Sequence, residues 1–223
     1  MVRLWQEAHS LLRPHELLRL PVGFSEALQR LCKFPLEDFF FLLETPAYRD
    51  LERTLERLRK AKELADEAAE IEQICFPPNE ACAPKQMKER IETASDLFLV
   101  ARDCEKDGKI AGFLNGIATD EYHFKDDFFT NADTHNPNGE NIMLLGLDVL
   151  PEYRKMGLGR ELVYNYCRRK QERGRKRLVL TCLPNKVKMY KKFGFEDLGI
   201  ADSSWGGEEW HEMIKDISIN DAI

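Results

Sequence analysis

The sequence predicts a mixed α/β (α+β) fold: a central, mostly antiparallel sheet flanked by helices and preceded by a helical extension. Three observations carry this. Apolar strand-like runs at Leu97-Phe98-Leu99-Val100, 142–149 and Leu178-Val179-Leu180 alternate with stretches of helical periodicity. Asp107-Gly108 is a hairpin signal between two such runs, and two further strands close the chain, so hairpins stand at both ends and the sheet must be mixed. Before residue 54 the spacing is helical but broken by Pro14, Pro21, Pro35 and Pro46.

Composition bounds the function. A chain of 223 residues, 43% of them hydrophobic, can bury a core without disulfide or metal staples. A net charge of −6 argues against a nucleic-acid partner. The longest apolar run, 39–43, falls far short of the roughly 20 residues that span a bilayer, so no membrane partner is expected. Arg3, Glu7, His9 and Arg13 interrupt the first apolar residues, which leaves no secretion-signal core. Six cysteines, at 32, 75, 82, 104, 167 and 182, form no Cys-x-x-Cys pair and no metal-ligand spacing. They read as reduced thiols of a cytoplasmic protein that holds no metal.

Taken in order, Leu4, Trp5, Ala8, Leu11 and Leu12, then Phe24, Leu28 and Leu31, have helical spacing. Phe39-Phe40-Phe41 is too apolar to stay solvated, so the extension is expected to pack as a cap or a homodimer surface. Propensity alone gives one helix over 47–74, with a stripe at Leu64, Ala65, Ala68, Ile71 and Ile74. Phe76-Pro77-Pro78 ends it, and Pro84 opens another helix to about 93. Strands at 97–100 and 109–119 flank the Asp-Gly turn. The stretch 120–139 is polar and aromatic without period, and a loop of about 20 residues in a compact domain is usually functional or disordered. A strand over 142–149, a helix from Gly157, a strand at 178–180 and a helix over 186–193 follow. Strands at 195–200 and 210–217 complete the chain.

One segment carries chemistry. Leu147-Asp148-Val149-Leu150-Pro151 is a strand end, and Arg154-Lys155-Met156-Gly157-Leu158-Gly159-Arg160 opens a helix with Arg-x-x-Gly-x-Gly. Two glycines leave backbone N–H groups unshielded at a positive helix terminus, which is what a diphosphate requires. A P-loop would need Lys-Ser/Thr, which is missing; a dinucleotide fingerprint would need a third small residue where Leu162 stands.

Arg-x-x-Gly-x-Gly after such a strand resembles the GNAT superfamily of acyl-CoA N-acyltransferases. Downstream, Asn185, Tyr190 and Gly194-Phe195 resemble its second segment in the right order. Cys75-Phe-Pro-Pro-Asn-Glu80-Ala-Cys82 and Trp205-Gly-Gly-Glu-Glu-Trp-His-Glu-Met213 are similar to the arylalkylamine (serotonin) N-acetyltransferase branch. The resemblance spans 56–217 and implies a GNAT domain over 54–223, with 1–53 as the extension. It also implies a strand at 56–61, against the helical propensity there.

What the resemblance implies for the site follows residue by residue. Acetyl-CoA, the co-substrate, would lay its diphosphate on Arg154, Lys155, Met156, Gly157, Leu158, Gly159 and Arg160. Its pantetheine arm would pair with Leu147, Asp148 and Val149, lined by Asn185. Tyr190 would be the catalytic general acid, giving its proton to the departing thiolate. Phe76, Pro77, Glu80, Met143 and Leu145 would bind the acceptor, a small primary amine. Met143 and Leu145 stand where vertebrate-type relatives carry two histidines, and neither can accept a proton. The base is therefore open among Glu80, Asp148, His123, His135 and Glu140. A peptide amine as acceptor and a non-catalytic acyl-CoA-binding module are the competing readings, and the 120–139 aromatics bear on the first. The basic run Arg168–Arg177 reads as a solvated helix end with no nucleic acid, and Cys182 as a small buried hydrophobe.

Overall fold

The computed structural model describes residues 46–218. The helices expected before Pro46, and the 39–43 apolar run, lie outside the described residues. The chain divides into two compact units between Leu64 and Ala65. Helix α1, Pro46–Cys75, runs through that division and through the expected 53/54 boundary.

The strand expected at 56–61 is instead part of α1. The local chemistry explains this. Glu-Arg-Leu-Arg-Lys-Ala contains no β-branched residue, and every letter is a strong helix former. Glu56 pairs with Arg59 at 2.6 Å and with Lys60 at 3.2 Å, the contacts that helical spacing creates. Beyond the division, Ala65, Ala68 and Ile71 of α1 are buried as expected and Ala69 joins them, but Ile74 is 56% exposed and Glu72 takes a buried place instead. Glu67 accepts the Ile110 amide, tying this end of the helix to the sheet.

Helix α2 spans Pro84–Thr93, with Pro84 in its first turn. Strands β1 (Phe98–Asp103) and β2 (Lys109–Thr119) follow. Asp107 and Gly108 between them both have positive φ, as a tight hairpin turn demands. A short helix α3, Asp127–Thr130, interrupts the long loop before β3, Asn141–Val149. Helix α4 (Leu158–Gln171), β4 (Arg177–Cys182), α5 (Pro184–Lys192), β5 (Glu196–Ile200) and β6 (His211–Asp216) complete the unit.

The six strands form one sheet in the order β1-β2-β3-β4-β6-β5. Every pairing is antiparallel except β3 with β4. That parallel ladder has three rungs, Asn141↔Arg177, Ile142↔Leu178 and Met143↔Val179, and then the strands part. Helix α4 packs Leu162, Val163 and Tyr166 against the β1–β3 side, where the Tyr166 hydroxyl donates to the Leu97 carbonyl. Helix α5 lies against β5 and β6.

The 120–139 loop is ordered by its own aromatics. Phe124 and Phe128 are buried in the main core, and the Phe124 amide donates to Glu212. Arg90 of α2 donates to the Phe129 carbonyl. The basic segment after α4 is largely engaged in holding the fold: Arg175 donates to the Gly139 and Pro137 carbonyls, Lys176 pairs with Glu140, and Arg173 with Asp96. No described helix is long and apolar enough to cross a membrane.

Candidate active site

The site is built where β3 and β4 part. Past Met143, β3 runs on to Val149 with β2 on one side only. The Leu150 amide donates to the Ala111 carbonyl, so alternation turns the peptide groups of Leu150 and Asp148 toward β2. Those of Leu147 and Val149 therefore face the open side. Of the three expected pantetheine-pairing residues, these two present main-chain groups there, while Asp148 is buried with its peptide engaged in the sheet.

The turn after β3 leads directly to a helix start. Pro151–Tyr153 is a single helical turn, Lys155 has φ +64° and Gly157 φ +90°. With Gly157 in the left-handed region and no side chain capping α4, the first amides of Leu158, Gly159 and Arg160 are left for an external acceptor. A Cβ on Gly159 would lie 3.8 Å from both Leu147 and Val149, which shows how closely the helix start sits on the open strand edge. Arg154 folds back and donates to the Val149 carbonyl at 2.8 Å. Met156 is 74% exposed beside this turn.

On the other side of the gap, β4 ends at Cys182 and α5 carries an exposed Asn185 and a largely covered Tyr190. The Tyr190 ring packs edge-on against Phe193 and Phe195. Burial, then the neighbouring Cys182 and Asp148, holds its hydroxyl above the usual phenol range, so it keeps its proton at neutral pH. Cys182 is pushed up to about 12 by burial and Asp197, and Cys75 to about 11 by burial and Asp148. Neither thiol is poised as a nucleophile.

A third wall is made of loops. In the α1–α2 connection, Asn79 donates to the Gly206 carbonyl at 2.8 Å, and Trp205 Nε1 returns a bond to the Glu80 carbonyl at 3.1 Å. Trp205 stacks on Phe129, and Asp126 holds Ser203 and Ser204. Thus the segments carrying Phe76, Pro77 and Glu80, the 120–139 aromatics and the β5–β6 turn are knitted together. Burial and the charge of Glu208 raise the Glu80 carboxyl. Met143 is fully buried at the last rung of the parallel ladder, and Leu145, 7% exposed, lies just beyond it.

The remaining base candidates have structural bonds. His123 pairs with Glu212, His135 Nδ1 accepts the Ala118 amide, and Glu140 is exposed and paired with Lys176. Burial lowers the His135 pKa. Asp148 differs from all of these, being fully enclosed. Around it the structure gathers residues that periodicity did not single out: Glu72 of α1, Arg90 of α2 and Asn115 of β2, all at most 5% exposed. Only Asn115 carries a signal in sequence, a polar letter within an apolar strand; Glu72 and Arg90 lie in helices rich in charged residues and carry none. Among the described residues no cluster of metal-ligating side chains occurs.

A family model described as the acetyltransferase (GNAT) family matches residues 65–195. No curated protein matches the chain. Among solved structures, the chain is similar to the loading GNATL domain of CurA from Lyngbya majuscula, at 15% identity and TM-score 0.60, covering 70% of this chain and 94% of that one. It is similar to the GphF GNAT-like decarboxylase in complex with isobutyryl-CoA, at 16% identity and TM-score 0.58, with 70% and 96% covered. It also resembles the ribosomal-protein-S18-alanine N-acetyltransferase from Escherichia coli, at 19% identity and TM-score 0.50, with 71% and 92% covered.

Proposed function

Since the chain belongs to the GNAT acetyltransferase family, we propose that it moves an acetyl group from acetyl-CoA to a small primary amine, with arylalkylamines the first candidates. The observation that carries this is the three-rung β3–β4 ladder, opening beside the uncapped start of α4 and the partly buried Tyr190. An acyl-CoA needs such a set of groups. Main-chain amides at a helix N-terminus meet the diphosphate, and the open-side groups of Leu147 with the amide of Val149 meet the pantetheine arm, the Val149 carbonyl being already taken by Arg154 and Cys75. Asn185 stands at the start of α5 to line the arm. The complex of the similar GphF decarboxylase with isobutyryl-CoA supports an acyl-CoA as the first substrate.

Transfer then runs by direct attack in a ternary complex. The neutral amine attacks the thioester carbonyl, the C–S bond breaks, and the Tyr190 hydroxyl gives its proton to the thiolate. The thiols of Cys75 and Cys182 stay protonated, which supports direct attack over an acetyl-cysteine intermediate.

The loop bridges favour a small acceptor. Two hydrogen bonds join the Asn79–Glu80 turn to the Trp205–Gly206 turn, spanning the face where a peptide would need an open groove. Leu145, just beyond the last rung of the ladder, is the apolar side chain placed to meet an aryl or alkyl group, while Met143 is fully enclosed in the core behind it. The carboxylates Glu80 and Glu208 favour the approach of a cation, as does the net negative charge. Comparing kcat/KM for 2-phenylethylamine, tryptamine, linear alkylamines and a peptide with a free N-terminal alanine tests this. The small amines are expected to be the better acceptors; preference for the peptide would overturn the acceptor class.

A further inference from the structure

Buried polar atoms are expected to be hydrogen-bonded, yet several around Asp148 are not. With both carboxyls ionised, both oxygens of Asp148, Oε2 of Glu72, both side-chain polar atoms of Asn115 and one Arg90 nitrogen lie out of contact with water and have no hydrogen-bond partner among the described residues, whereas a proton on either carboxyl bonds Glu72 to Asp148. Three of them converge on Gly146. A Cβ there would stand 2.9 Å from Asp148 Oδ2, 3.0 Å from Asn115 Nδ2 and 3.5 Å from Glu72 Oε2. The other Glu72 oxygen accepts the Cys82 amide at 3.0 Å, fixing this carboxyl to the far end of the α1–α2 loop. Cys75, at the near end, is half-buried and donates to the Val149 carbonyl, the open-side group of β3. The two carboxyls therefore sit directly behind the edge assigned to the pantetheine arm.

Resting on the acetyl-transfer reading above, we propose that Glu72 and Asp148 hold a single proton between them and receive the second one from the cationic acceptor amine, beside Cys75. Two carboxylates cannot both stay ionised in so enclosed a space, whereas one proton and the nearby Arg90 leave the group neutral. Desolvation raises both carboxyls, and the charge of Glu72 pushes Asp148 further, well above the ordinary range. The Cys82 amide, Arg90 and the contact with Asp148 hold Glu72 back, so Asp148 keeps the proton and Glu72 is the ionised partner. The charged or titratable groups that act on them are Arg90 on α2 and Cys75 at the end of α1; Cys82 on the α1–α2 loop and Tyr190 on α5 also feel their charge, while Arg154 after β3 and Glu89 on α2 act on Cys75 and Cys82 respectively.

The step balances. R–NH3+ gives a proton to the ionised carboxylate, leaving both carboxyls neutral and a nitrogen lone pair free. That lone pair forms the C–N bond as the C–S bond breaks, and the thiolate takes the Tyr190 proton. The new amide nitrogen returns a proton to Tyr190, and the carboxyl pair gives up its extra proton past the half-buried Cys75, the group beside it that reaches solvent, once the product leaves.

The test is Asp148→Asn in the full chain, assayed at pH 7 with 2-phenylethylamine, a cation, and 2,2,2-trifluoroethylamine, which is already neutral. The expected result is a kcat loss of about 10²-fold or more with the first and less than about tenfold with the second, with unchanged acetyl-CoA affinity. Equal losses with both amines, or no loss with either, would overturn the role. If Asp148→Asn does not fold, Glu72→Gln carries the same comparison. If neither folds, the unmodified protein decides at saturating amine: an acid limb in kcat confined to the cationic amine supports the role, and the same limb with both overturns it. Absence of turnover by the unmodified protein with every amine overturns the acetyl-transfer reading itself, a result distinct from transfer that survives without selectivity in the variants.

Discussion

A carboxyl cut off from water keeps its proton unless something nearby stabilises the charge. Asp148 and Asp197 show the two outcomes. Asp148 is enclosed beside Glu72 and raised, so its ionisation weighs against folding, starting from the ordinary carboxylate pKa of about 4 and increasing with pH. The Tm of Asp148→Asn relative to the parent should therefore rise between pH 4 and 8. Asp197 is bonded by His211 at 2.9 Å, the Gly199 amide at 3.0 Å and Lys191 at 3.1 Å, which hold it down at about 2. Its stabilisation is present above pH 4 and fades as pH falls toward 2. Asp197→Asn should lower Tm at neutral pH, with the difference closing in that acid window; thermal scans of both variants across pH check the opposite signs. For Tyr190, Tyr190→Phe should cut kcat by about tenfold or more while leaving acetyl-CoA affinity within about twofold, as expected for a proton donor that acts in the transition state. An unchanged kcat would remove it from the mechanism.

Single elements were legible in sequence where one force dominated. The Asp107-Gly108 turn, the strand before Pro151 and the glycine-opened helix all stand as their local chemistry requires. Helix α1 teaches the converse. Propensity read it correctly, while alignment to a family pattern placed a strand at 56–61, because sequence resemblance carried over a topology that these residues do not adopt. Periodicity also misread the last turn of α1: it pointed Ile74 inward and gave no reason to bury Glu72, whose partners come from loops and strands distant in sequence. The same physics separates the two motif glycines. Gly157→Ala forces a side chain into φ +90° and should cost about 1–2 kcal/mol. In Gly159→Ala the added methyl meets Leu147 and Val149 at ordinary contact distance, so stability should change little. Equal Tm shifts for the two would contradict this account of the turn.

At the scale of the whole molecule, the alternation of strands and helices announced a mixed sheet, but not that β6 would lie between β4 and β5 or that the parallel ladder would stop after three rungs. Those features come from long-range pairing that no local pattern encodes, and the second of them makes the site. The polar centre at Gly146 was hidden for the same reason, since Glu72, Arg90, Asn115 and Asp148 are scattered through the sequence and meet only when the sheet and both early helices assemble. The central claim is that this assembly opens β3 to an acyl-CoA and presents the thioester to a small amine. Purified protein, given acetyl-CoA and each amine in turn, tests it by thiol release together with mass spectrometry of the amine. The account predicts free CoA and N-acetylated amine in equal amounts for at least one small primary amine. Acetyl-CoA binding with no thiol released above the amine-free control, for any amine or peptide, would contradict it.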